Sequence, residues 1–395
     1  MKRLAIITTH PIQYNAPWFK LITKRGRIKI KIFYTWSQVE KAEKFDPGFG
    51  KNIKWDIPLM EGYEYEFVEN TAKVPGSRHY KGIVNPTLIE RIKNYDPDAI
   101  MIVGWNFDSH LKCIRYFHKK IPVFFRGDST LLDENPGFRM LLRRIALRWV
   151  FNKIDLALYV GKENKRYFKK HGLKEKQLLF APHSIDNKRF ASSPENRVAA
   201  IEMRKALGIE SGKMIFLFCG KFEPKKDPVL LLKSFIELKQ TEIVLVMVGN
   251  GKMETELKAL SEAHSNIHFL PFQNQQNMPA IYQLADVFVL PSKGPGETWG
   301  LAINEAMAAG KPVLVSSKCG GSADLIVNGE NGYLFTAGSK AALKDCIKLF
   351  VDNKSKLEQM GQRSLQKIQS FSFEKIAEAM ENAVMDLKDF KNKKG

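Results

Sequence analysis

Short apolar runs recur along the chain, each followed by a stretch whose apolar positions return every three or four residues. LAIITT, IKIKIFY, AIMIVG, PVFFRG and LALYVG read as strands in the first half. Helical spacing intervenes near residues 15–25, 107–120, 137–152 and 161–171. In the second half MIFLFCG, IVLVMVG, IHFL, VFVLPS and PVLVSS repeat the alternation with stronger signals. Strands alternating with helices predict an α/β architecture, a parallel sheet with helices on both faces.

The pattern breaks in two places. Between Ser37 and Tyr80 the run DPGFGKNIKWDIPLMEGYEYEF mixes turn residues with aromatics and reads as a long loop with one added strand. APHSIDNKRFASSPENR, residues 181–197, turns to Pro, Ser and Asn and reads as an interdomain linker. At 395 residues the chain exceeds what one core supports. Two Rossmann-like domains are therefore expected, over residues 1–185 and 186–370, with a ligand cleft lined by the C-terminal ends of the strands. Residues 371–395 hold one more amphipathic segment, FSFEKIAEAMENAVMDL, and a Lys-rich end.

Charge sharpens the picture because it is unevenly placed. Residues 1–190 carry 36 Lys/Arg against 19 Asp/Glu, and the remainder 26 against 23, so most of the net charge of +20 belongs to the first half. That half is expected to meet an anionic partner, such as a phospholipid surface, a lipid pyrophosphate or a nucleic acid. No RNA- or DNA-binding motif accompanies the charge. No apolar run approaches bilayer-crossing length, and LAII leads into His10 and Pro11, as a first strand does and a secretory signal does not. Cys113, Cys219, Cys319 and Cys346 lie far apart without C-x-x-C spacing, which favours reduced core thiols in the cytoplasm over disulfides or a zinc site.

Candidate chemistry concentrates in PSKGPGETWGLAINEAMAAGKPV, residues 291–313. A strand end, a Gly/Pro loop and a helix start follow one another there. At such a place backbone N–H groups, here those of Trp299, Gly300 and Leu301, point at an anion, most often a phosphate. Glu297 lies on the loop and Glu305 inside the helix, so the two carboxylates reach different parts of one ligand. KFEPKKD, after MIFLFCG, sets Lys221 and Lys226 five residues apart on another strand-to-helix loop, where a diphosphate is welcome. VGNGK, with Asn250, and LPFQN, with Phe272, end the next two strands and frame a nucleoside. Asp96-Pro97-Asp98 matches the Asp-x-Asp pair of metal-dependent transferases, but it precedes a strand and so sits at the end away from the ligand crevice.

Glu297, Trp299, Gly300, Leu301, Glu305, Ala306, Met307, Gly310, Pro312 and Val313 stand at a spacing that resembles the glutamate-x7-glutamate signature of retaining GT-B glycosyltransferases of family 4. KFEPKKD is similar to that family's donor-diphosphate motif, an arginine followed five residues later by a lysine. Lys221 in the first position keeps the charge and loses the bidentate fork. The resemblance implies that Glu305 holds ribose hydroxyls and that Glu297 faces the transferred sugar, where it stabilises an oxocarbenium-like transition state. It also implies a nucleotide-sugar substrate, no metal and no cofactor, and a C-terminal helix crossing back to the first domain. The implied acceptor is a glycan or a lipid-linked molecule of cell-surface polysaccharide or glycolipid assembly.

On the acceptor side the family's glycine pair and His-containing turn are replaced by THPIQYNAP and FRGDST. His10, Trp105, Arg126 and Asp128 all follow strand-like runs and are candidates there. Asp128 is a base for an acceptor hydroxyl, Arg126 a partner for a phosphate, and Trp105 a stacking platform for a sugar. Each is equally a loop-capping or ion-pairing residue. FRMLLRRIALRWVFNK, residues 138–153, interleaves arginines with apolar residues. It reads either as a helix lying on an anionic membrane or as a domain helix with its apolar stripe in the core. Two other functions fit the same chain, a nucleotide-sugar epimerase on this architecture and a nonenzymatic basic binding protein.

Overall fold

The computed structural model of the chain describes residues 1–36, 44–46, 51–53, 56–135 and 137–387. Much of the stretch expected as a long loop after Ser37 lies outside the described residues, as do the final eight. The chain forms two compact units. One comprises Met1–Lys44, Pro58–His183 and Phe373–Gly395, the other Phe45–Ile57 and Ser184–Ser372.

The first unit begins with β1 (Arg3–Thr8), α1 (Ala16–Arg25) and β2 (Lys29–Tyr34). Two three-residue strands that follow in the chain, β3 (Lys44–Asp46) and β4 (Lys51–Ile53), pair with each other and, but for Lys44, fall in the second unit's segment Phe45–Ile57. Then come β5 (Glu64–Phe67), α2 (Leu88–Tyr95), β6 (Ala99–Val103), α3 (Asp108–Phe117), β7 (Val123–Arg126) and α4 (Phe138–Phe151). β8 (Leu156–Tyr159), α5 (Lys162–Lys170) and β9 (Leu178–Phe180) complete a parallel sheet of order β5-β2-β1-β6-β7-β8-β9. Its strand order reverses between β1 and β6.

The second unit runs through α6 (Asn187–Phe190), α7 (Pro194–Ala206), β10 (Met214–Cys219), α8 (Pro228–Leu238), β11 (Ile243–Val248), α9 (Glu254–Ser261) and β12 (Ile267–Leu270). It continues with α10 (Met278–Leu284), β13 (Val287–Leu290), α11 (Leu301–Ala308), β14 (Val313–Ser316), α12 (Ser322–Leu325), β15 (Gly332–Phe335), α13 (Lys340–Asp352) and α14 (Leu357–Ile368). These strands form a second parallel sheet, β12-β11-β10-β13-β14-β15, reversing between β10 and β13. Every residue of β10, β11, β13 and β14 is buried, which is why these strands read as unbroken apolar runs.

The last helix, α15 (Phe373–Met385), belongs with the first unit. Its Phe373, Ile376, Ala377, Met380 and Val384 share a core with Trp18, Phe19 and Ile22 of α1. Fully buried Glu381 accepts from Arg25 Nε at 2.9 and 3.1 Å and from Arg27 Nη1 at 3.1 Å. Removing both arginines would strand a buried carboxylate, so the pair fixes where α15 docks.

The stretch read as a linker contains the change of unit, between His183 and Ser184, and from Asp186 onward it is structured. Asp186 and Ser193 cap α6 and α7 through their side chains, and Phe190 packs edge-on against Tyr282 at 5.7 Å. The apolar stripe in the core, one of the two readings given for α4, holds only in part. Of Leu142, Ile145, Trp149 and Val150 only Val150 is buried, because the helix seats on Leu147, Val150 and Phe151. Cys113, Cys219, Cys319 and Cys346 are free thiols, the first three buried. No helix among the described residues is long and apolar enough to cross a membrane.

Candidate functional site

In the second unit the residues singled out gather where the strand order reverses. β10 and β13 are neighbours in the sheet although 67 residues separate their ends, so the loops leaving them emerge side by side. The first carries Lys221 and Lys226, the second Glu297. Lys226 Nζ lies 2.6 Å from Glu297 Oε2, and both side chains are largely withdrawn from solvent. Ser292 Oγ donates to the same oxygen at 3.0 Å. A second link, from Lys293 Nζ to Asp227 Oδ1 at 3.0 Å, joins the two loops again. Lys225, next to Lys226, lies 3.4 Å from Glu223 instead.

Glu297 leads into α11, whose cap is Gly300 at a φ of 90°. A side chain at Gly300 would sit 2.9 Å from Leu290 and be strained besides, so the turn that aims the helix start requires glycine. The amides of Gly300 and Leu301 stand at the positive end of the helix, where the first N–H groups lack intrahelical acceptors. Trp299 is not a surface residue. It is buried, its indole donates to Asn304 Oδ1 at 2.8 Å, and its ring packs against Phe371 at 5.9 Å.

Glu305 is buried in the fifth position of α11 and accepts from Tyr282 Oη at 2.7 Å through Oε2. Burial, and after it the Glu305 carboxylate, drives the Cys219 thiol well above its usual pKa. Burial and then Glu297 push Cys319 up to about 12. Both thiols beside the carboxylates therefore stay protonated.

The loop after β11 locks onto the loop after β10. Phe222 N donates to Asn250 O at 3.0 Å, and Met253 N to Phe222 O at 3.1 Å. A Cβ on Gly251 would come within 2.6 Å of Phe222 O, which explains the glycine there. Asn250 is a strut between loops. Its Oδ1 accepts from Phe272 N at 2.9 Å and its Nδ2 donates to Glu254 at 2.7 Å. The Phe272 N–H is thus engaged with Asn250, which fixes the loop's shape.

The first unit's candidates divide. Arg126 is a correction: at the end of β7 it is buried and donates to Ala181 O at 2.7 Å and Pro182 O at 2.9 Å. Burial lowers its pKa to about 10 even though Asp128 opposes the shift. Its Nη1 and Nη2 each hold a backbone carbonyl and the side chain is buried, so it is a structural brace in this structure. Asp128 is half exposed, with His183 Nε2 3.5 Å from its Oδ2. Burial holds the His183 imidazole below its usual pKa, against Asp128 and with Arg126. His10 follows β1 half-buried, its Nδ1 3.0 Å from Thr9 Oγ1 and its ring edge-on to Trp36 at 5.4 Å. Trp105 follows β6 and packs partly against the core.

Asp98 accepts from Lys2 Nζ at 2.7 Å and Arg3 N at 2.8 Å, and Asp96 pairs with Arg3. The Asp-x-Asp pair thus ties down the start of β1. Among the described residues no cluster of three or more His, Cys, Asp or Glu is placed to hold a metal ion.

Three site residues escaped the sequence reading: Ser292, Tyr282 and His183. His183 follows LLF, a strand too short to stand out, and the same rule that drew attention to Asp128 would have reached it. Ser292 and Tyr282 carry no comparable signal, since their roles depend on which strands and helices become neighbours.

Residues 200–367 match the family model for Glycosyl transferases group 1. This segment contains Lys221, Lys226, Glu297 and Glu305. Over 265 residues the chain is 27% identical to a D-inositol 3-phosphate glycosyltransferase of Nocardia farcinica, covering 64% of this chain and 57% of that one. It is 29% identical over 199 residues to spore coat protein SA of Bacillus subtilis, covering 47% and 52%. The chain spans about half the length of the curated relatives it matches. Among solved structures, Anabaena Alr3699/HepE in complex with UDP and glucose superposes with a TM-score of 0.69 at 17% identity, over 98% of this chain and 100% of that one. The lipopolysaccharide glycosyltransferase WaaG superposes with a TM-score of 0.65 at 15% identity, over 97% and 100%. The fold is therefore GT-B, with two Rossmann-like parallel-sheet domains.

Proposed function

We propose that this protein is a retaining, metal-independent glycosyltransferase that moves a sugar from a nucleotide-sugar donor to a glycan or lipid-linked acceptor. It would act in the cytoplasm, in peripheral contact with the inner face of a membrane through its basic first half. The observation that carries the reading is the Lys226–Glu297 pair at the β10/β13 reversal, with Glu305 in the helix behind it. These groups lie inside the segment that matches the glycosyl transferases group 1 model, and a related fold has been solved with UDP and glucose.

In this reading the donor's diphosphate rests on the amides that start α11 and on Lys221 and Lys226, while Glu305 accepts from the ribose hydroxyls. Glu297 faces the sugar. As the anomeric carbon–oxygen bond breaks, its electrons leave with the diphosphate, and lysine charge and helix dipole stabilise the product. Glu297 offsets positive charge on the ring, the acceptor oxygen forms the new bond, and Asp128, backed by His183, takes the acceptor's proton. Lys226 serves both partners, holding Glu297 and compensating the diphosphate.

The test is to incubate the protein with a panel of nucleotide sugars and acceptors and follow the release of nucleoside diphosphate. Acceptor-dependent release with retained anomeric configuration supports transfer. An epimerised nucleotide sugar formed without acceptor would favour the isomerase. Salt-sensitive nucleic-acid binding with no donor affinity would favour a binding protein.

A further inference from the structure

α4 is the most exposed apolar element among the described residues. Phe138, Leu141, Leu142, Ile145 and Trp149 are each between 45 and 74% exposed. With 3.6 residues per turn, these five fall within about 60° of one line along the helix, opposite buried Leu147. The stripe runs for twelve residues, or about 17 Å.

The arginines on this helix are sorted by direction. Those nearer the protein are used inside it: Arg143 donates to Tyr167 Oη at 3.3 Å and Arg144 to Glu134 Oε2 at 3.2 Å. Arg139 and Arg148 are exposed and flank the apolar stripe on its two sides. At its far end the Trp149 ring has Lys153 Nζ 3.9 Å and the Arg115 guanidinium 5.8 Å from its centre. An exposed apolar face edged by cations, with an aromatic residue among them, is the composition of a helix lying in a lipid interface.

We propose that this face of α4 docks on an anionic phospholipid bilayer, with the five apolar side chains entering the headgroup–acyl boundary and Arg139, Arg148, Arg115 and Lys153 meeting lipid phosphates. Charge selects this occupant over a second copy. A two-fold contact would bring flanking cations of like sign together, whereas a bilayer of negative charge complements them. The proposal rests on the membrane contact included in the proposed function and names its surface. Its test uses no sugar substrate, so it can fail while transfer stands.

The experiment is flotation of the full chain with vesicles of phosphatidylcholine alone and of phosphatidylcholine with phosphatidylglycerol. The expected result is binding to the anionic vesicles, weakened by salt. Ile145→Glu should reduce that binding by roughly tenfold or more, and Arg139→Glu with Arg148→Glu by a similar factor. Trp149 fluorescence should shift to the blue on binding, a change absent in Trp149→Phe. Unchanged melting temperature would show that each variant folds, as expected for exposed positions, and a variant that melts early is replaced by Leu141→Glu. Equal binding to neutral and anionic vesicles, or full binding by Ile145→Glu, would overturn the proposal. So would a dimer in lipid-free solution that Ile145→Glu dissociates.

Discussion

The two units end their strands in different ways. In the second, the loops after β10, β11 and β13 are fastened to each other by Lys226–Glu297, Lys293–Asp227 and the Phe222–Asn250 backbone bond. In the first, the equivalent loops are fastened to the body of their own unit. Arg126 holds Ala181 and Pro182, and His110 holds Gly104 through Nδ1 at 2.7 Å. A loop cluster that braces itself presents its charges in a set geometry, as donor chemistry of high charge density requires. In a cluster braced from behind the outer residues, here Asp128 and His10, rest on near neighbours, His183 and Thr9; under the proposed function these are the residues that would meet an acceptor.

Exchanging charge for neutrality in the second unit should give the largest effect. Glu297→Gln is expected to lower kcat by about 10² to 10³-fold while nucleoside diphosphate affinity stays within about threefold. A variant with normal turnover would remove Glu297 from the chemistry. The first unit should respond to acid. Burial lowers His110 to about 4, below the ordinary value of about 6.5. The unfolded chain therefore binds the proton first, and stability falls as pH drops from about 6.5 toward 4, by an amount on the order of 3 kcal/mol. His171 and His183, also held low by burial, act with the same sign. Urea unfolding near neutrality and near pH 4.5 should show the loss, and His110→Gln should blunt it.

Two further variants sharpen the contrast. Lys226→Met leaves Glu297 without its cation and should weaken diphosphate binding by about 10 to 100-fold, with about 1–3 kcal/mol of stability lost. Calorimetric titration and thermal unfolding measure the two losses separately. Tyr282→Phe removes one buried bond to Glu305 and should weaken nucleotide binding by only about three- to tenfold. A Tyr282→Phe protein with unchanged affinity would mean that Glu305 needs no orientation from α10.

The fold was legible because parallel strands buried on both faces must be apolar throughout, and MIFLFC, IVLVMV and VFVL leave no other reading. β9 is only three residues long and half-exposed throughout, and β15, with only Gly332 and Phe335 buried, lacks the unbroken apolar run of a strand covered on both faces. Residues 181–197 do hold the change of unit at His183–Ser184, yet most of the stretch is structured, and it reads as a linker because caps and turns share a linker's composition. There Asp186 and Ser193 begin helices, and Phe190 supplies the packing. Within the candidate site, spacing alone brought out Lys226, Glu297 and Glu305. That Lys226 meets Glu297 follows from β10 lying beside β13, a fact of topology that no local pattern encodes. Arg126 shows the opposite failure. Its position after a strand suggested a ligand, and only the course of β9 beside β8, which carries Ala181 and Pro182 to the end of the sheet, reveals that both its Nη1 and Nη2 hold backbone carbonyls.

The central claim is that the β10/β13 reversal binds a nucleotide sugar through Glu305. Thermal unfolding of the intact chain and of Glu305→Ala, each with a panel of nucleoside diphosphates and nucleotide sugars, tests it most directly. At about 100 times its dissociation constant a ligand adds about 2.7 kcal/mol, worth several degrees in a chain of this size. The account predicts that at least one nucleoside diphosphate raises the melting temperature of the intact chain by that much and that Glu305→Ala loses most of the shift. No shift with any nucleotide, or an equal shift in both proteins, would contradict it.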